Sequence, residues 1–255
     1  MAGKNITYNG YNLQTTDIVM TGLEYQSIDK NLSMARISTT DINKFIESYV
    51  ANKRIVYSGY IKGSSASDAE NKLDTLKQNV VLNNVANLDI EYSGGTRRYK
   101  CVCQNVELEE ETPALDVKNI KITFETVEPL GLDTFTNTIN YLTETANPIN
   151  KNITFSGTYF TLPTYTITVS SQSNLNSISI KSVQTNQEIV IQKTYAINDI
   201  IEIDTRNKTV KYNGSVSDYT GIFPLVNQGN NDLEFGATSS SHSLNINIDY
   251  ITRYL

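Results

Sequence analysis

From Leu244 to Tyr250 apolar and polar residues alternate without a break, with Leu244, Ile246, Ile248 and Tyr250 on one side and Asn245, Asn247 and Asp249 on the other. A period of two belongs to a strand with one dry and one wet face, because successive side chains leave a strand in opposite directions. Shorter stretches of the same pattern recur along the chain, separated by Gly, Asn, Ser and Asp. That punctuation predicts antiparallel sheets.

The expected strands of the first half are Ile6–Tyr8, Ile18–Ser27, Leu32–Ser38, Arg54–Lys62, Leu88–Tyr92, Arg97–Leu108 and Val117–Val127. In the last, Ile120, Ile122 and Phe124 share one face, and Asn119, Lys121 and Glu125 the other. Ser93-Gly-Gly-Thr96 supplies glycines for a tight turn, so Leu88–Leu108 reads as one hairpin. Beyond residue 150 the pattern is strands only: Ile153–Phe155, Tyr165–Val169, Ile178–Val183, Glu188–Gln192, Ile200–Ile203, Thr209–Tyr212, Asp232–Phe235 and Leu244–Tyr250. Turn signals between them suit a two-sheet sandwich, and no fixed-period repeat intervenes.

One segment breaks the β pattern with force. Ser67-Asp-Ala-Glu70 reads as a capping box, followed by Ala69, Leu73, Leu76 and Val80 on one stripe and Lys77 near the negative end of the dipole. A helix over about 67–79 should lie on a sheet. A weaker helical spacing, Ile42, Phe45, Ile46 and Tyr49, follows Thr39-Thr40-Asp41. Pro129, Gly131 and Asn147-Pro148 interrupt both periodicities, and Leu132–Leu142 is open between helix and extended chain. The expected organisation is an N-terminal β domain with one helix over 1–128, a linker over 129–150, and a C-terminal β-sandwich over 151–255.

Acidic side chains outnumber basic ones, giving a net charge of −6, which disfavours sequence-specific nucleic-acid binding. No run reaches the ~18–20 apolar residues of a membrane span, and Met1-Ala-Gly-Lys4 lacks a secretory core, so assembly in a cytoplasm without membrane insertion is expected. Cys101 and Cys103 are the only cysteines, two apart in an alternating run. They read as reduced thiols on one sheet face, since a relaxed disulfide demands narrower geometry and a metal would need further ligands.

Catalytic patterns are missing from the sequence. The single histidine, His242, sits in a Ser-rich stretch and reads as an exposed loop residue, with no Gly-x-Ser-x-Gly elbow anywhere. Gly94-Gly95 lacks the lysine of a phosphate-binding loop. Glu107 and Glu109 share a strand face, yet belong to the run Glu107-Leu-Glu-Glu-Glu111, which reads as solvated surface and not as the apolar cleft of a glycosidase. Asp199, Glu202 and Asp204 have oxygens for calcium but not its loop spacing. No catalytic, cofactor or metal residues are expected.

Several features together resemble one family. Asp199-Ile-Ile-Glu-Ile-Asp204 and Thr209-Val-Lys-Tyr-Asn-Gly214 flank a turn and lead to Ile222-Phe-Pro-Leu225 and Gln228-Gly-Asn-Asn-Asp-Leu233. Upstream stand Ile6-Thr-Tyr-Asn-Gly10, Asp17-Ile-Val-Met-Thr-Gly-Leu23, Arg54-Ile-Val-Tyr-Ser-Gly-Tyr-Ile-Lys-Gly63, Leu73-Asp-Thr-Leu-Lys77 and Arg97-Arg-Tyr-Lys100. Their order and spacing are similar to those of the distal tail (Dit) proteins of long-tailed bacteriophages, across nearly the whole chain. The helical spacing near Ser38–Asn52 departs from the extended loop that the family implies there.

The resemblance implies a mainly β fold, with a tail-tube-like N-terminal β-sandwich or barrel carrying one packed helix and a galectin-like C-terminal β-sandwich. It implies a structural virion protein of the tail tip: six copies form a ring that continues the tail tube. Implied partners are the tail tube protein, hub or tape-measure-associated proteins, and receptor-binding proteins or fibres held by the C-terminal domains. No catalytic residue or cofactor comes with it. A carboxylate-lined lumen would not grip passing DNA, and Glu107, Glu109, Glu110 and Glu111 are the residues expected to contribute to it. The alternative is a carbohydrate-binding module or adhesin, using Tyr159, Tyr165, Tyr195 and Tyr219 of the C-terminal sandwich to stack on sugars. The absence of Trp weighs against that alternative.

Overall fold

The computed structural model describes residues 5–25, 30–36, 43–109, 116–239 and 241–255, with backbone alone over 30–36 and 43–50. It divides into two compact units, one over Met1–Leu132 and one over Asp133–Tyr254. The fold is mainly β, as the alternation predicts, with one helix among the described residues.

The first unit contains β1 (Ile6–Tyr8), β2 (Tyr11–Asn12), β3 (Ile18–Tyr25), β4 (Lys30–Arg36), β5 (Asn43–Val50) and β6 (Arg54–Lys62). After these come α1 (Ala66–Val80), β7 (Ala86–Tyr92), β8 (Gly95–Leu108) and β9 (Val117–Thr126), and β10 (Gly131–Asp133) follows at the division. The main sheet runs β2-β1-β7-β8-β9-β6-β3, with β2 and β3 at its margins, so among the described residues it stays open and closes no barrel. One face is the core: Ile55, Tyr57 and Ile61 of β6 meet Ile120, Ile122 and Phe124 of β9 and Leu88 and Ile90 of β7, all at most 1% exposed. Burying each such side chain is worth about 1.5–3 kcal/mol.

The helix lies on that face. Ala69, Leu73, Leu76 and Val80 are its buried residues, the stripe expected from spacing. Its start lies two residues before the expected box. Ser65 is the N-cap, accepting from the Asp68 backbone N–H at 3.2 Å, and Asp68 reaches back to the backbone N–H and hydroxyl of Ser64 at 2.7 and 3.0 Å. A carboxylate at the third helical position suits the positive end of the dipole. Gly63 lets strand and helix meet, because a Cβ there would stand 2.5 Å from the backbone nitrogen of Ala69.

Two other expectations need correction. The helical spacing at 41–49 is a strand: β5 pairs antiparallel with β4 from Lys30↔Val50 to Arg36↔Asn43, around a bulge at Ser33/Met34. Strand pairing supplies every second backbone group of this stretch with a partner, and its β-branched and aromatic residues suit that geometry. Asp41 and Ile42 lie outside the described residues, as do the ends of the expected strands at 26–27 and 37–38. At the β7–β8 turn the positive φ falls on Gly95, at +122°, one residue after the Ser93-Gly94 tip.

The second unit contains β11 (Asn137–Glu144), β12 (Ile149–Phe155), β13 (Thr164–Ser173), β14 (Ser177–Ser182), β15 (Gln187–Gln192) and β16 (Ile200–Asp204). It continues through β17 (Thr209–Tyr212), β18 (Ser215–Val216), β19 (Thr220–Gly221), β20 (Gly229–Thr238), β21 (Ser241–Tyr250) and β22 (Arg253–Tyr254). One antiparallel sheet runs β11-β21-β13-β16-β17-β18 and the other β12-β20-β14-β15-β19. Their inner faces form one core, with Tyr165, Ile167, Ile201, Ile246 and Ile248 from the first and Ile153, Ile178, Ile180, Ile189 and Phe235 from the second. The Tyr165 and Phe235 rings meet edge-on across it, 6.1 Å apart. The segment read as a linker, 129–150, holds β10, β11 and the start of β12. β11 carries Thr-Ile-Asn-Tyr alternation over only four residues before a bulge at Tyr141/Glu144, too short a signal to distinguish it from a bridge.

Candidate functional site

The acidic run closes β8. Before residue 104 the odd positions Tyr99, Cys101 and Cys103 face the core; a bulge between Cys103 and Asn105 then advances the register against β9. One inserted residue flips the phase of everything after it. Val106 consequently packs on the core, while Glu107 and Glu109 are exposed. Glu107 accepts from the Asn105 side chain at 2.6 Å and stands opposite Lys121, whereas Glu109 is anchored through its backbone N–H to the carbonyl of Asn119 at 3.0 Å. Glu110 and Glu111 lie outside the described residues. The two described carboxylates sit exposed at the C-terminal end of β8 and not in an apolar cleft.

Cys101 and Cys103 are both buried and free. Burial pushes the Cys101 thiol up to about 12 and that of Cys103 to about 11, so neither is a thiolate at neutral pH.

The acidic residues of the second unit are tied into turns. Asp199 accepts from the Ala196 N–H at 2.6 Å, the Tyr212 hydroxyl at 2.5 Å and the Asn213 amide at 2.8 Å. Burial opposes its ionisation, but these three donors outweigh it and hold the carboxyl below its ordinary range. Glu202 pairs with Lys211 at 2.9 Å, and Asp204 caps its own turn through the N–H groups of Arg206 and Asn207, both at 2.9 Å. These contacts commit Asp199 and Asp204 to shaping turns and Glu202 to a cross-strand ion pair.

His242 is not an exposed loop residue. It lies in β21 at 6% exposure, with Nε2 3.1 Å from the Ala146 carbonyl and Nδ1 2.8 Å from the Ser239 hydroxyl. A carbonyl only accepts, so Nε2 carries a proton and the ring is a structural tie. Of the four tyrosines considered as a sugar platform, Tyr165 and Tyr195 are at most 2% exposed and belong to the core. Tyr219 lies at the surface against Phe223, and Tyr159 stacks on Phe160 with centroids 4.4 Å apart.

Exposed apolar side chains gather between β18 and β20. Val216, Ile222, Tyr219 and Leu225 are 83%, 62%, 39% and 36% exposed, and this stretch joins the marginal strand of one sheet, β18, to that of the other, β19. Apolar surface concentrated on one segment marks an interaction site more often than scattered single residues do.

A second constellation lies where the core face of the first unit's sheet ends. Tyr25 of β3, Lys53 just before β6, Tyr92 of β7, and Arg97 and Tyr99 of β8 all fall on that face. The Tyr25 and Tyr92 hydroxyls are bonded, the Tyr92 and Tyr99 hydroxyls are 3.5 Å apart, and the Arg97 guanidinium lies 4.6 Å from the Tyr92 ring centre. Lys53 is 5% exposed, yet among the described residues its ammonium has no carboxylate partner. Burial, then the nearby Arg97 charge, lowers its proton affinity. An open pocket of about 350 Å³, lined by Glu24, Tyr25, Arg54 and Val56, adjoins the mouth. Arg97-Arg-Tyr-Lys100 was visible in the sequence, but Lys53 and Tyr25 lie far from it and only strand order brings them together.

Residues 156–254 match the family model described as the siphovirus-type tail component, C-terminal domain. Over the whole chain the fold is like the crystal structure of the SPP1 Dit protein, described as a paradigm of the hub adsorption apparatus in phages infecting Gram-positive bacteria. That likeness has a TM-score of 0.72 at 12% identity, covering 99% of this chain and 100% of the other. The activated phage P2 baseplate solved with Ca aligns at TM-score 0.45 and 7% identity, over 97% of this chain and 98% of the other. The same baseplate with Sr gives 0.45 and 10%, over 96% and 98%. No curated protein sequence matches the chain. The C-terminal unit thus carries the siphovirus-type tail component domain, and the fold over the whole chain is like that of a Dit protein.

Proposed function

We propose that this protein forms a six-membered ring at the distal end of a phage tail, joining the tail tube to the tip as a hub and anchoring receptor-binding or fibre components. The carrying observation is the family match over 156–254 together with the Dit fold over the rest of the chain. Its role is structural and without turnover, its place is the virion tail tip, and its assembly takes place in the host cytoplasm. Its partners are the tail tube, hub or tape-measure-associated proteins and the carried fibre.

Physical features support the reading. β4 and β5 form a two-stranded sheet of their own among the described residues, and such a ribbon is marginal in water unless something packs on it. β3 offers eight residues at a sheet margin. Unpaired edges are natural contacts between identical copies, and a head-to-tail contact that closes by rotation makes a ring. The exposed segment 216–225 is the surface we assign to carried components, on a sandwich whose two sheets suit a galectin-like description. Within the ring we assign Glu107 and Glu109 to the lumen; a ring structure placing them on the outer rim overturns that assignment.

Native mass measurement of the full chain tests the reading. A species near six times the 28.5 kDa of one chain is expected at high protein concentration. A monomer at all concentrations in moderate salt overturns the ring.

A further inference from the structure

Two turns of this protein are built alike and tied differently. Tyr8-Asn9-Gly10 closes the β1–β2 hairpin and Tyr212-Asn213-Gly214 closes the β17–β18 hairpin, each leading into a two-residue strand at a sheet margin. The backbones repeat as well: φ is +50° and +80° at Asn9 and Gly10, and +48° and +80° at Asn213 and Gly214. All four residues are exposed, and a Cβ built on either glycine would have nothing within 4 Å.

The asparagine side chains differ. Asn213 donates its amide to Asp199 at 2.8 Å and accepts from the Ile200 N–H at 2.8 Å, while its own N–H donates to the Ile200 carbonyl at 2.8 Å. Asn9 is held by its backbone, the N–H donating to the Asn87 carbonyl at 2.9 Å; among the described residues its side-chain amide has no hydrogen bond. A turn at a sheet margin opens locally at little cost, and side-chain ties raise that cost.

An asparagine followed by glycine carries its own reaction partner, because glycine has no Cβ to crowd its nitrogen. When the tip opens, the Gly10 nitrogen can attack Asn9 Cγ. A bond forms between that nitrogen and Cγ, the Cγ–Nδ2 bond breaks, and ammonia leaves with the proton of the Gly10 amide. Water then opens the five-membered imide at either carbonyl, giving aspartate or isoaspartate without any change of oxidation state.

We infer that Asn9 is a site of spontaneous deamidation in the folded protein, and that Asn213, in the same Tyr-Asn-Gly sequence, is protected by Asp199 and Ile200. The isoaspartate product lengthens the backbone by one atom inside a two-residue turn, which the hairpin geometry does not accommodate. Tyr8 and Leu13 beside it are fully buried, and the Tyr57 hydroxyl donates to the Leu13 carbonyl at 2.7 Å, so the change reaches the core of the first unit. Each conversion also adds one negative charge to this sheet margin. The site does not depend on the ring reading.

Peptide mapping by mass spectrometry of the dilute full chain, held for weeks in mildly alkaline buffer below its unfolding temperature, tests the inference. The Asn9 peptide is expected to gain acid and isoaspartate about tenfold or more faster than the Asn213 peptide. In urea above the unfolding midpoint the two sites should react at similar rates, which assigns the difference to the fold. Asp199→Ala, checked for folding by circular dichroism, should speed reaction at Asn213 about tenfold and leave Asn9 unchanged. Equal rates at the two sites of the folded wild type overturn the inference, as does an intact Asn9 where the unfolded chain reacts. An unchanged Asn213 rate in folded Asp199→Ala overturns the protection. The wild-type comparison of folded with unfolded chain stands without that variant.

Discussion

The Asn213 amide donates to Asp199 at 2.8 Å, joining the turn before β16 to the turn after β17. Asn213 and Gly214 both take positive φ, +48° and +80°, as a two-residue hairpin with matching twist requires. The Asn213 carbonyl oxygen of the side chain also accepts from the Ile200 N–H at 2.8 Å, so one residue both makes the turn and ties it down.

Asp199 should make stability pH-dependent. Its folded-state pKa lies below its unfolded value, so its contribution is fully present above the unfolded value, about 3.9, and is lost as pH falls through the folded one. Asp199→Asn is expected to unfold at lower denaturant than wild type at pH 7, with the gap closing as the pH falls below the ordinary carboxylate range. Urea titrations of both proteins across that range check it; a gap that stays constant with pH excludes the charge as the cause.

Asn231 should be costly to replace. At 2% exposure its amide donates to the carbonyls of Asn227 and Gly229 at 2.8 and 2.9 Å, and its oxygen accepts from the Asn227 N–H at 3.0 Å. Asn231→Ala leaves those backbone groups unpaired and should cost about 1–3 kcal/mol by urea unfolding. Asn231→Asp keeps the shape but loses the donors, so it should not rescue. A loss below the measurement error in the alanine variant would show that water replaces the amide.

Tyr165 carries the opposite expectation. It is fully buried in the sandwich core, burial pushes its phenol far above the usual range, and its hydroxyl finds no hydrogen-bond partner among the described residues. Removing a polar atom that has no partner is neutral or favourable. Tyr165→Phe is expected to melt at or above the wild-type temperature, and a drop in midpoint would reveal a partner such as a buried water.

The sequence carried the strands because their faces alternate over enough residues to be read: β6 lies at the expected Arg54–Lys62 and β17 at Thr209–Tyr212. It also carried the helical stripe through Leu73 and Leu76, since periodicity survives an error in the cap. What it did not carry depends on partners. β5 had helical spacing and became a strand because β4 lies beside it. The outward turn of Glu107 depends on a bulge, which inserts one residue against β9 and has no signature in β8 alone. His242 is buried by Ala146, nearly a hundred positions away, and Lys53 joins Tyr25, Tyr92 and Arg97 only through sheet order. Local pattern fixes an element; long-range pairing decides which side chains share a site.

The start of α1 should be the most sensitive exposed point of the first unit. Ser65 satisfies one of the helix's free N–H groups, and Asp68 closes the loop by binding Ser64 twice while pairing with Lys72 at 3.0 Å. The hydrogen bonds to Ser64, then the one from Lys72, hold the Asp68 carboxyl below its ordinary range. Ser65→Ala should cost about 1 kcal/mol, the usual loss for a capping hydroxyl, and Ser65→Asp should recover it. Ser67→Ala should change stability by less than about 0.5 kcal/mol, since Ser67 is an ordinary first-turn residue here and not the cap. Urea unfolding followed by circular dichroism separates the two positions: a larger loss at Ser67 than at Ser65 would return the cap to the later serine and move the helix start with it.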